Sequence, residues 1–498
     1  MRQPLTLEQI DRFVADTRTA VFVRDADNLL MIRPDKTLSI NASATSILGA
    51  LYHRDRRSAA QVLDTLAPQL GVDRDRLLDD TVNLVQAVGA MLNEDFSPRP
   101  AIRLGTFRPD MVRYPTLAEI AVTYGCQNRC AFCYAASPHR EGQHELMSTP
   151  QVQRVMDRIF HEAHVPSLSF TGGEATLRPD LPDLVRYGQQ LGFRVNLITN
   201  GLRAADEAYA ASLVQAGLAS AQVSLESGQA ALHDRIVGRE GAFIRTVAGV
   251  RNFQRLGIHV HTNTTLCAAN LDAAHDLIRF VARELHLRTL SMNMVIRTGS
   301  ARGAREPLRS AEWSTPVGAR GHDGTTGGDL KMEVSYTEIG QRIPALLETA
   351  RTEGVRLVWY SPIPYCIFNP VLHGLGAKSC ACVHGILSVD PSGQVLPCSS
   401  FERGIGSLLH RSYASISQSR AARYWRERRF LPPACEGCEN TDVCAGGCPL
   451  YWDAAGSFAE LPRPGATDPG ARRRWERKRR RGISFGVPAP DQPCTREA

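Results

Sequence analysis

Three cysteines stand close together in the stretch GCQNRCAFCYAAS (125–137), which follows an apolar, strand-like segment. Cys126, Cys130 and Cys133 have the spacing C-x3-C-x2-C, and a short loop of this kind can supply three thiolates to one corner of a 4Fe-4S cluster. One iron then has no protein ligand and can bind a substrate or a cofactor. A structural zinc site needs four ligands, and the nearest fourth candidate, His139, lies in a loop that contains proline. The spacing therefore favours an iron–sulfur cluster with one open iron.

Most of the other cysteines are grouped near the end of the chain, between Cys366 and Cys494. One group has the spacing C-x10-G-x4-C, and a second has C-x2-C-x5-C-x3-C; they consist of Cys382, Gly393 and Cys398, and of Cys435, Cys438, Cys444 and Cys448. Tight groups in a long chain of ordinary composition are typical of metal or cluster ligation rather than of disulfides. The second group could by itself be a zinc ribbon. Cys267 lies away from these groups and is expected to be a buried core thiol.

Charge and hydropathy limit the classes of partner. The net charge is +7, from 58 basic and 51 acidic residues, and the run ARRRWERKRRR (471–481) accounts for all of this excess. The rest of the chain is nearly neutral, so no nucleic-acid partner is expected. No apolar run approaches the length of a membrane span, and the first residues do not resemble a secretion signal. We therefore expect a cytoplasmic protein without a membrane partner, with its thiols reduced.

The 498 residues are enough for several domains, and the first boundary is expected near residue 100. The segment 20–34 predicts two short strands across an Asp/Asn turn, and the segment KTLSINASATSILGALY predicts a third strand leading into a helix capped near Asn41. Two amphipathic helices follow, over residues 59–70 and 76–92. Residues 1–100 are therefore expected to form a small α+β domain.

Strand-like and helix-like segments alternate over residues 114–300, which indicates an α/β fold with a parallel sheet. Six predicted strands in series favour a partial (β/α)6 barrel of the TIM type. Residues 301–360 are expected to hold a connector and the last barrel elements, and residues 361–498 a cysteine-rich domain. Polar or glycine-rich motifs follow the first three predicted strands. Because parallel strands end at one edge of the sheet, this edge is the expected site of chemistry.

The cysteine loop CQNRCAFC, with Phe132 before its last cysteine, resembles the signature of the radical S-adenosylmethionine (SAM) superfamily. The stretch TGGEA (171–175) resembles the GGE motif of that family, which receives the amino group of SAM, although Ala175 stands where proline is commoner. The resemblance implies that SAM contacts Phe132 and the motif residues Gly172, Gly173 and Glu174.

The same resemblance implies further SAM contacts at strand ends. Ser224 and Glu226 lie where the family holds the ribose, and Asn200 and Asn263 line the same rim. Each of these four side chains could instead be a polar strand-end residue with a purely structural role. The positions therefore remain open at this point.

The later cysteines resemble the SPASM domain, which carries auxiliary 4Fe-4S clusters. The resemblance implies two such clusters besides the catalytic one. The distal cluster would be held by Cys435, Cys438, Cys444 and Cys494, while Cys398 and Cys448 would join upstream cysteines around the nearer cluster. The upstream ligands could be any of Cys366, Cys380 and Cys382, and three ligands in all would leave an open iron there.

The front domain resembles the PqqD-like recognition element of ribosomally made, post-translationally modified peptides, a winged-helix module. In that family the leader of a precursor peptide adds as a strand beside the third strand, here residues 37–40, and packs on the third helix, here 76–92. The competing interpretation is a small domain that only helps the main body fold.

Together these resemblances imply a radical SAM/SPASM peptide maturase. It would cleave SAM to a 5′-deoxyadenosyl radical and abstract hydrogen from a precursor peptide, forming a side-chain crosslink or related modification. Its partners would be that peptide and an electron donor such as flavodoxin or ferredoxin. A tetrapyrrole-modifying radical SAM enzyme and an anaerobic sulfatase-type maturase are the alternatives. Ser399 argues against the latter, because that family has Asp at this position. A peptide-binding adaptor without activity would make the GGE motif a coincidence.

Overall fold

The computed structural model of this chain describes residues 5–32, 36–53, 55–93, 112–137, 140, 142, 145–302, 330–468, 470 and 472–477. It divides into two compact units, Met1–Tyr114 and Pro115–Ala498. Among the described residues, no helix is long and apolar enough to cross a membrane.

The first unit is an α+β domain, as the sequence predicts. Its three strands form an antiparallel sheet in the order β1-β2-β3. The strands are β1 (Val21–Arg24), β2 (Leu29–Ile32) and β3 (Lys36–Ser39), and the helices are α1 (Leu7–Thr17), α2 (Ala42–Leu51), α3 (Ala59–Leu70) and α4 (Arg74–Leu92). Apolar side chains of all four helices and of β1 and β2 pack into one core.

Local capping explains where these helices begin. Asn41 accepts a hydrogen bond from the backbone N–H of Ala44 at 2.8 Å, which confirms the predicted cap of α2. Helix α1 was missed by the sequence interpretation, although Thr6 and Gln9 form a capping box at its start. The T-x-x-Q spacing was the signal that could have revealed it.

The second unit is built on a ten-stranded sheet whose strand order is β10-β9-β8-β7-β6-β5-β4-β11-β12-β13. The six predicted strands are all present: β4 (Leu117–Ala121), β5 (Ser167–Thr171), β6 (Arg194–Thr199), β7 (Ser220–Ser224), β8 (His259–Leu266) and β9 (Thr289–Met294). A seventh, β10 (Arg356–Trp359), pairs in parallel with β9 and belongs to the region expected to hold the last barrel elements. The predicted α/β fold with a mainly parallel sheet is confirmed.

Helices lie between these strands in the order expected of βα units. They are α5 (Thr149–His161), α6 (Leu181–Leu191), α7 (Glu207–Gln215), α8 (Ala230–Val237), α9 (Ala242–Arg255), α10 (Ala274–Arg283) and α11 (Tyr336–Thr352). Residues 303–329, between β9 and α11, lie outside the described part of the chain.

The barrel strands are apolar on one face and polar on the other. Val195 of β6 faces α6, because a Cβ built on Gly188 would approach its Cγ2 to 2.9 Å. Asn196, the next residue, therefore points away from the helices and donates to Ser169 at 3.1 Å. Hydrogen bonds also join other polar side chains on this face, namely Ser220 with Asn196, Gln222 with His261, and Asn263 with Asn293. The side away from the helices can thus hold a polar ligand.

The C-terminal part continues the barrel sheet instead of standing apart from it. Strand β11 (Ile386–Val389) pairs in parallel with β4, and β12 (Gln394–Leu396) and β13 (Gly406–Ser407) follow antiparallel. Short helices complete the region: α12 (Tyr413–Ser417), α13 (Arg420–Arg426), α14 (Thr441–Cys444) and α15 (Pro449–Ala455). Its small core combines aromatic residues with Cys380 and Cys382.

Candidate active site

The cysteine loop follows β4 directly and packs on the glycine-rich loop that follows β5. The N–H groups of Gly173 and Glu174 donate to the carbonyls of Thr123 and Gly125, each at 2.8 Å. A Cβ on Gly173 would lie 2.4 Å from the Gly125 carbonyl oxygen, so only glycine fits there. Gly172 has φ near +145° and an equally close neighbour in Thr123. The two motifs recognised in the sequence are thus in direct backbone contact.

The three thiols of the loop are close neighbours. Burial raises the pKa of Cys126 to about 12, with smaller effects from Glu174 and from Cys133. Burial also raises the pKa of Cys130, and the thiols of Cys133 and Cys126 raise it further. Three half-buried thiols whose pKa values are raised form a donor set that a cationic iron cluster would stabilise as thiolates. The residues present therefore fit a 4Fe-4S cluster.

Glu174 has protein partners that the motif alone did not reveal. One carboxylate oxygen, Oε1, accepts from the hydroxyls of Thr176 and Thr199, each at 2.7 Å, and Oε2 accepts from the backbone of Asn200 at 2.7 Å. The side chain is only 1% exposed, and burial raises its pKa. Glu174 therefore ties the end of β5 to the end of β6. Its predicted contact with the amino group of SAM stays a prediction.

Asn200 is brought to the cysteine loop by the end of β6. Its side-chain amide donates to Sγ of Cys126 at 3.8 Å and to Oε1 of Gln127 at 3.3 Å. The backbone N–H of Asn128 also donates to Cys126 Sγ, at 3.4 Å. Sulfur that accepts N–H groups is favoured as thiolate, so these contacts suit a cluster ligand.

The predicted SAM-contact residues Glu226 and Asn263 have different hydrogen-bond partners. Glu226 follows β7, is 3% exposed and accepts from the backbone of Thr265 at 2.8 Å through Oε2. Glu226 also raises the pKa of the Cys130 thiol, after burial and the thiols of Cys133 and Cys126. Asn263 is in register with Ser224 on the neighbouring strand. Its side chain accepts a hydrogen bond from the hydroxyl of Ser291 at 2.9 Å and donates one to Asn293, and both partners belong to β9. Of the four predicted residues, Asn200 thus contacts the cysteine loop directly, and Glu226 lies near enough to affect the pKa of the Cys130 thiol.

Replacing Glu226 by Gln is expected to stabilise the protein at pH 8 by on the order of 1–3 kcal/mol. Burial raises the pKa of Glu226 from 4.5 to about 8. At pH values between 4.5 and about 8, the Glu226 carboxyl is ionised in the unfolded chain but still protonated in the folded chain. The free energy of unfolding therefore falls as the pH rises through this range. Gln keeps the acceptor for Thr265 without the titration. The difference in melting temperature between variant and wild type should therefore grow from pH 5 to pH 8.

The matched control for this prediction is Glu240→Gln, which changes an exposed carboxylate of the same unit. Its melting temperature should follow the wild type at both pH values. A Glu226→Gln protein that is no more stable than the wild type at pH 8 would contradict the assigned burial of the charge.

A cavity that the sequence interpretation missed lies beside the cysteine loop. Its lining includes Glu119, Tyr134, Thr171, Gly172 and Ser399. Glu119 accepts from the hydroxyl of Ser388 on β11 at 2.6 Å, and burial raises its pKa, although its bonds to Ser388 and Ser399 oppose that shift. A glutamate inside the apolar segment LAEIAV was the signal that could have revealed it.

The later cysteines gather into sets rather than standing alone. The sulfur atoms of Cys380 and Cys382 are 3.3 Å apart. The thiol of Cys398 also raises the pKa of Cys382. The thiol of Cys448 has its pKa raised by burial and then by Cys380 and Cys398. These four cysteines thus form one set.

Cys494 lies outside the described residues, and Cys267 is fully buried, as expected. No group of three or more His, Cys, Asp or Glu in the described chain is arranged to hold one metal ion.

Comparison with known proteins assigns both cysteine-rich regions. The model of the radical SAM superfamily matches residues 120–281, and the model of the SPASM iron-sulfur cluster-binding domain matches residues 380–439. The chain carries a radical SAM domain and a SPASM domain. The protein is therefore a radical SAM enzyme, and its cofactors are SAM and 4Fe-4S clusters.

Two curated relatives share most of the chain. The AdoMet-dependent heme synthase of Oleidesulfovibrio alaskensis is 27% identical over 330 residues, which are 66% of this chain and 80% of the relative. The PqqA peptide cyclase of Rhodopseudomonas palustris is 28% identical over 363 residues, 71% of this chain and 86% of the relative.

Among solved structures, the fold is similar to Streptococcus suis SuiB bound to the precursor peptide SuiA. The TM-score is 0.60 at 14% identity, and the match covers 87% of this chain and 95% of SuiB. This coverage is more than the second unit, Pro115–Ala498, contains, so the shared fold extends into the first unit.

Proposed function

We propose that this radical SAM enzyme is a peptide maturase that abstracts hydrogen from a ribosomally made precursor peptide and forms a side-chain crosslink or a related modification. The observation that carries the proposal is the fold match with SuiB, which extends beyond the radical SAM and SPASM regions into the front unit. SuiB was crystallised with its precursor peptide, and a second relative is a peptide cyclase. A fold match that reaches into the front unit supports a peptide substrate.

The front unit is proposed to be a PqqD-like element that pairs with the leader along β3. This strand is an edge of the three-stranded sheet. The N–H of Ile40 donates to the carbonyl of Asn28, on the side of β2. Because N–H groups alternate along an antiparallel strand, those of Thr37 and Ser39 point to the free edge. A leader in extended conformation can accept from these donors by β-augmentation, and α4 is proposed to flank it.

The radical SAM site is proposed to use the residues at the carboxyl ends of β4 to β8. Cys126, Cys130 and Cys133 would hold the catalytic cluster, which when bound supplies the electron that cleaves SAM. The backbone of Gly172 and Gly173 would approach the methionine end of SAM, together with Phe132 and Glu174. The ribose would be held by Ser224 and Glu226, with Asn200 and Asn263 lining the same rim.

The protein's own part in the reaction is to bind, orient and exclude water. The polar inner face of the barrel, with Asn196 and Gln222 among its side chains, can hold the backbone of the core peptide by hydrogen bonds. Enclosure within the barrel would protect a radical from water and oxygen. An electron donor such as flavodoxin or ferredoxin is proposed to reduce the clusters.

Anaerobically reconstituted protein is expected to contain about 12 iron atoms per chain, because three cysteine sets suit three 4Fe-4S clusters. Iron and acid-labile sulfide assays, with zinc measured in the same sample by mass spectrometry, check this result. The matched control is protein reconstituted without iron. Bound zinc together with iron near ~4 per chain would remove the auxiliary-cluster proposal.

The substrate class is tested by mass spectrometry of candidate precursor peptides coexpressed with this enzyme. A loss of two hydrogens, located to named side chains by fragmentation, would support a crosslink. The second candidate function, tetrapyrrole modification, is favoured by the identity to heme synthase. It predicts that a tetrapyrrole, and not a peptide, stimulates SAM cleavage. Turnover of a tetrapyrrole with every peptide left unchanged would overturn the proposed function.

A further inference from the structure

Cys366 lies beside cysteines that are about seventy residues later in the chain. The backbone N–H of Tyr365, the residue before it, donates to Sγ of Cys444 at 3.3 Å. The segment that carries Cys366 is therefore packed against the loop that carries Cys435, Cys438 and Cys444.

Local turns fold the loop that carries Cys435, Cys438 and Cys444. The N–H of Cys438 donates to the carbonyl of Cys435 at 3.1 Å, and Cys444 ends α14. Gly446 then takes a left-handed conformation, with φ of +66°, and a Cβ there would lie 3.2 Å from Cys435 Sγ. The loop thus curls back on its first cysteine, and Cys366 approaches from outside the loop.

The other auxiliary set is complete without Cys366. The sulfur atoms of Cys380 and Cys382 are 3.3 Å apart, and Cys398 and Cys448 pack against the same core cluster. Tyr336, which is fully buried, fixes the last of them, since its hydroxyl accepts from the backbone N–H of Cys448 at 2.7 Å. Four thiolates satisfy every iron of a 4Fe-4S cluster.

We propose that Cys366, Cys435, Cys438 and Cys444 are the four ligands of the distal auxiliary cluster, with Cys366 in the place that the sequence pattern gives to Cys494. The proposal deepens the proposed function and depends on its two auxiliary clusters. It removes Cys366 from the nearer cluster, so neither auxiliary cluster has an open iron. Ligation of SAM or substrate is then confined to the cluster of Cys126, Cys130 and Cys133, and the auxiliary clusters serve in electron transfer.

Thiol alkylation of the reconstituted full chain tests the assignment without any substitution. Cys366 is exposed in the protein fold, so burial alone would not protect it from iodoacetamide. We expect Cys366 to be protected in the holoenzyme and Cys494 to be alkylated, with Cys366 becoming alkylated after the iron is chelated. Peptide mass spectrometry measures both labels, and the buried Cys267 is the control for unfolding.

The remaining outcomes overturn the assignment. Protection of Cys494 with labelling of Cys366 would restore the sequence pattern, and labelling of both would remove Cys366 from the ligands. Protection of both would mean that Cys494 is not replaced. These interpretations of the alkylation pattern apply to protein that contains about 12 iron atoms per chain. An iron content of about 4 per chain would instead show that the auxiliary clusters, and that part of the proposed function, are absent.

Substitutions give an independent readout. Cys366→Ala is expected to lower the iron content from about 12 toward 8 per chain, or to convert one auxiliary cluster to a three-iron form with its own electron paramagnetic resonance signal. Cys494→Ala, the matched control, should retain both the iron and the spectrum of the wild type. Equal iron and unchanged spectra in Cys366→Ala would overturn the proposal.

Discussion

An enzyme that lacks residues 1–111 is expected to lose modification of its precursor peptide almost completely while it still cleaves SAM. Every residue proposed to contact the catalytic cluster or SAM lies beyond this point, in the second compact unit. The first unit has an apolar core of its own. A leader held by the front unit raises the effective concentration of the core peptide to about 1 mM. Without that tether, modification at micromolar peptide should fall by two to three orders of magnitude, on the order of 10²–10³.

The measurement compares modified peptide with 5′-deoxyadenosine in the same reaction by liquid chromatography and mass spectrometry. Ser39→Pro in the full chain is a milder version, because it removes one N–H donor from the free edge of β3 and leaves the pairing with β2. Ser39→Val keeps the N–H and is its matched control. Full peptide modification by the truncated enzyme would show that the front unit is only a structural appendage.

Changing Cys126, Cys130 and Cys133 together to Ala should abolish SAM cleavage and leave the auxiliary clusters bound. The three thiols come from one loop after β4, whereas the other sets come from segments between Cys366 and Cys448. Loss of the loop thiols removes every ligand of the first cluster and none of the others. Iron should therefore fall from about 12 to about 8 per chain, with no detectable 5′-deoxyadenosine.

Cys267→Ala is the matched control, since it removes a thiol that is fully buried at the end of β8. It should keep both the iron content and the SAM cleavage of the wild type. Continued production of 5′-deoxyadenosine by the triple variant would mean that the active site has been placed wrongly. A fall of iron to near zero would mean that the auxiliary clusters depend on the first.

Much of the fold could be predicted from the sequence because it is encoded locally. Alternating apolar positions and caps such as Asn41 identified all six predicted barrel strands and three helices of the front unit. The cysteine spacing and the GGE motif located the loops after β4 and β5, since each depends on a few adjacent residues. Helix α1 was equally local, and its capping box was overlooked.

The contacts made across long separations were not accessible in this way. Glu119 and Ser388 are 269 residues apart, and only the pairing of β4 with β11 brings them together. The partners of Glu174 on β6 likewise depend on the order of strands, because a carboxylate in a motif does not reveal which donors surround it.

The ligand sets of the auxiliary clusters show the same division. The resemblance to the SPASM domain implied clusters at the later cysteines. Spacing alone predicted only metal or cluster ligation, because thiols a few residues apart on a loop lie close together. Spacing could not decide between Cys366 and Cys494, since both join from outside the loop of Cys435 to Cys444. The path of the chain after β10 places Tyr365 against Cys444, and this contact supports the proposal of Cys366. Local spacing thus determined the chemistry of this protein, and tertiary packing decided which distant residues share each site.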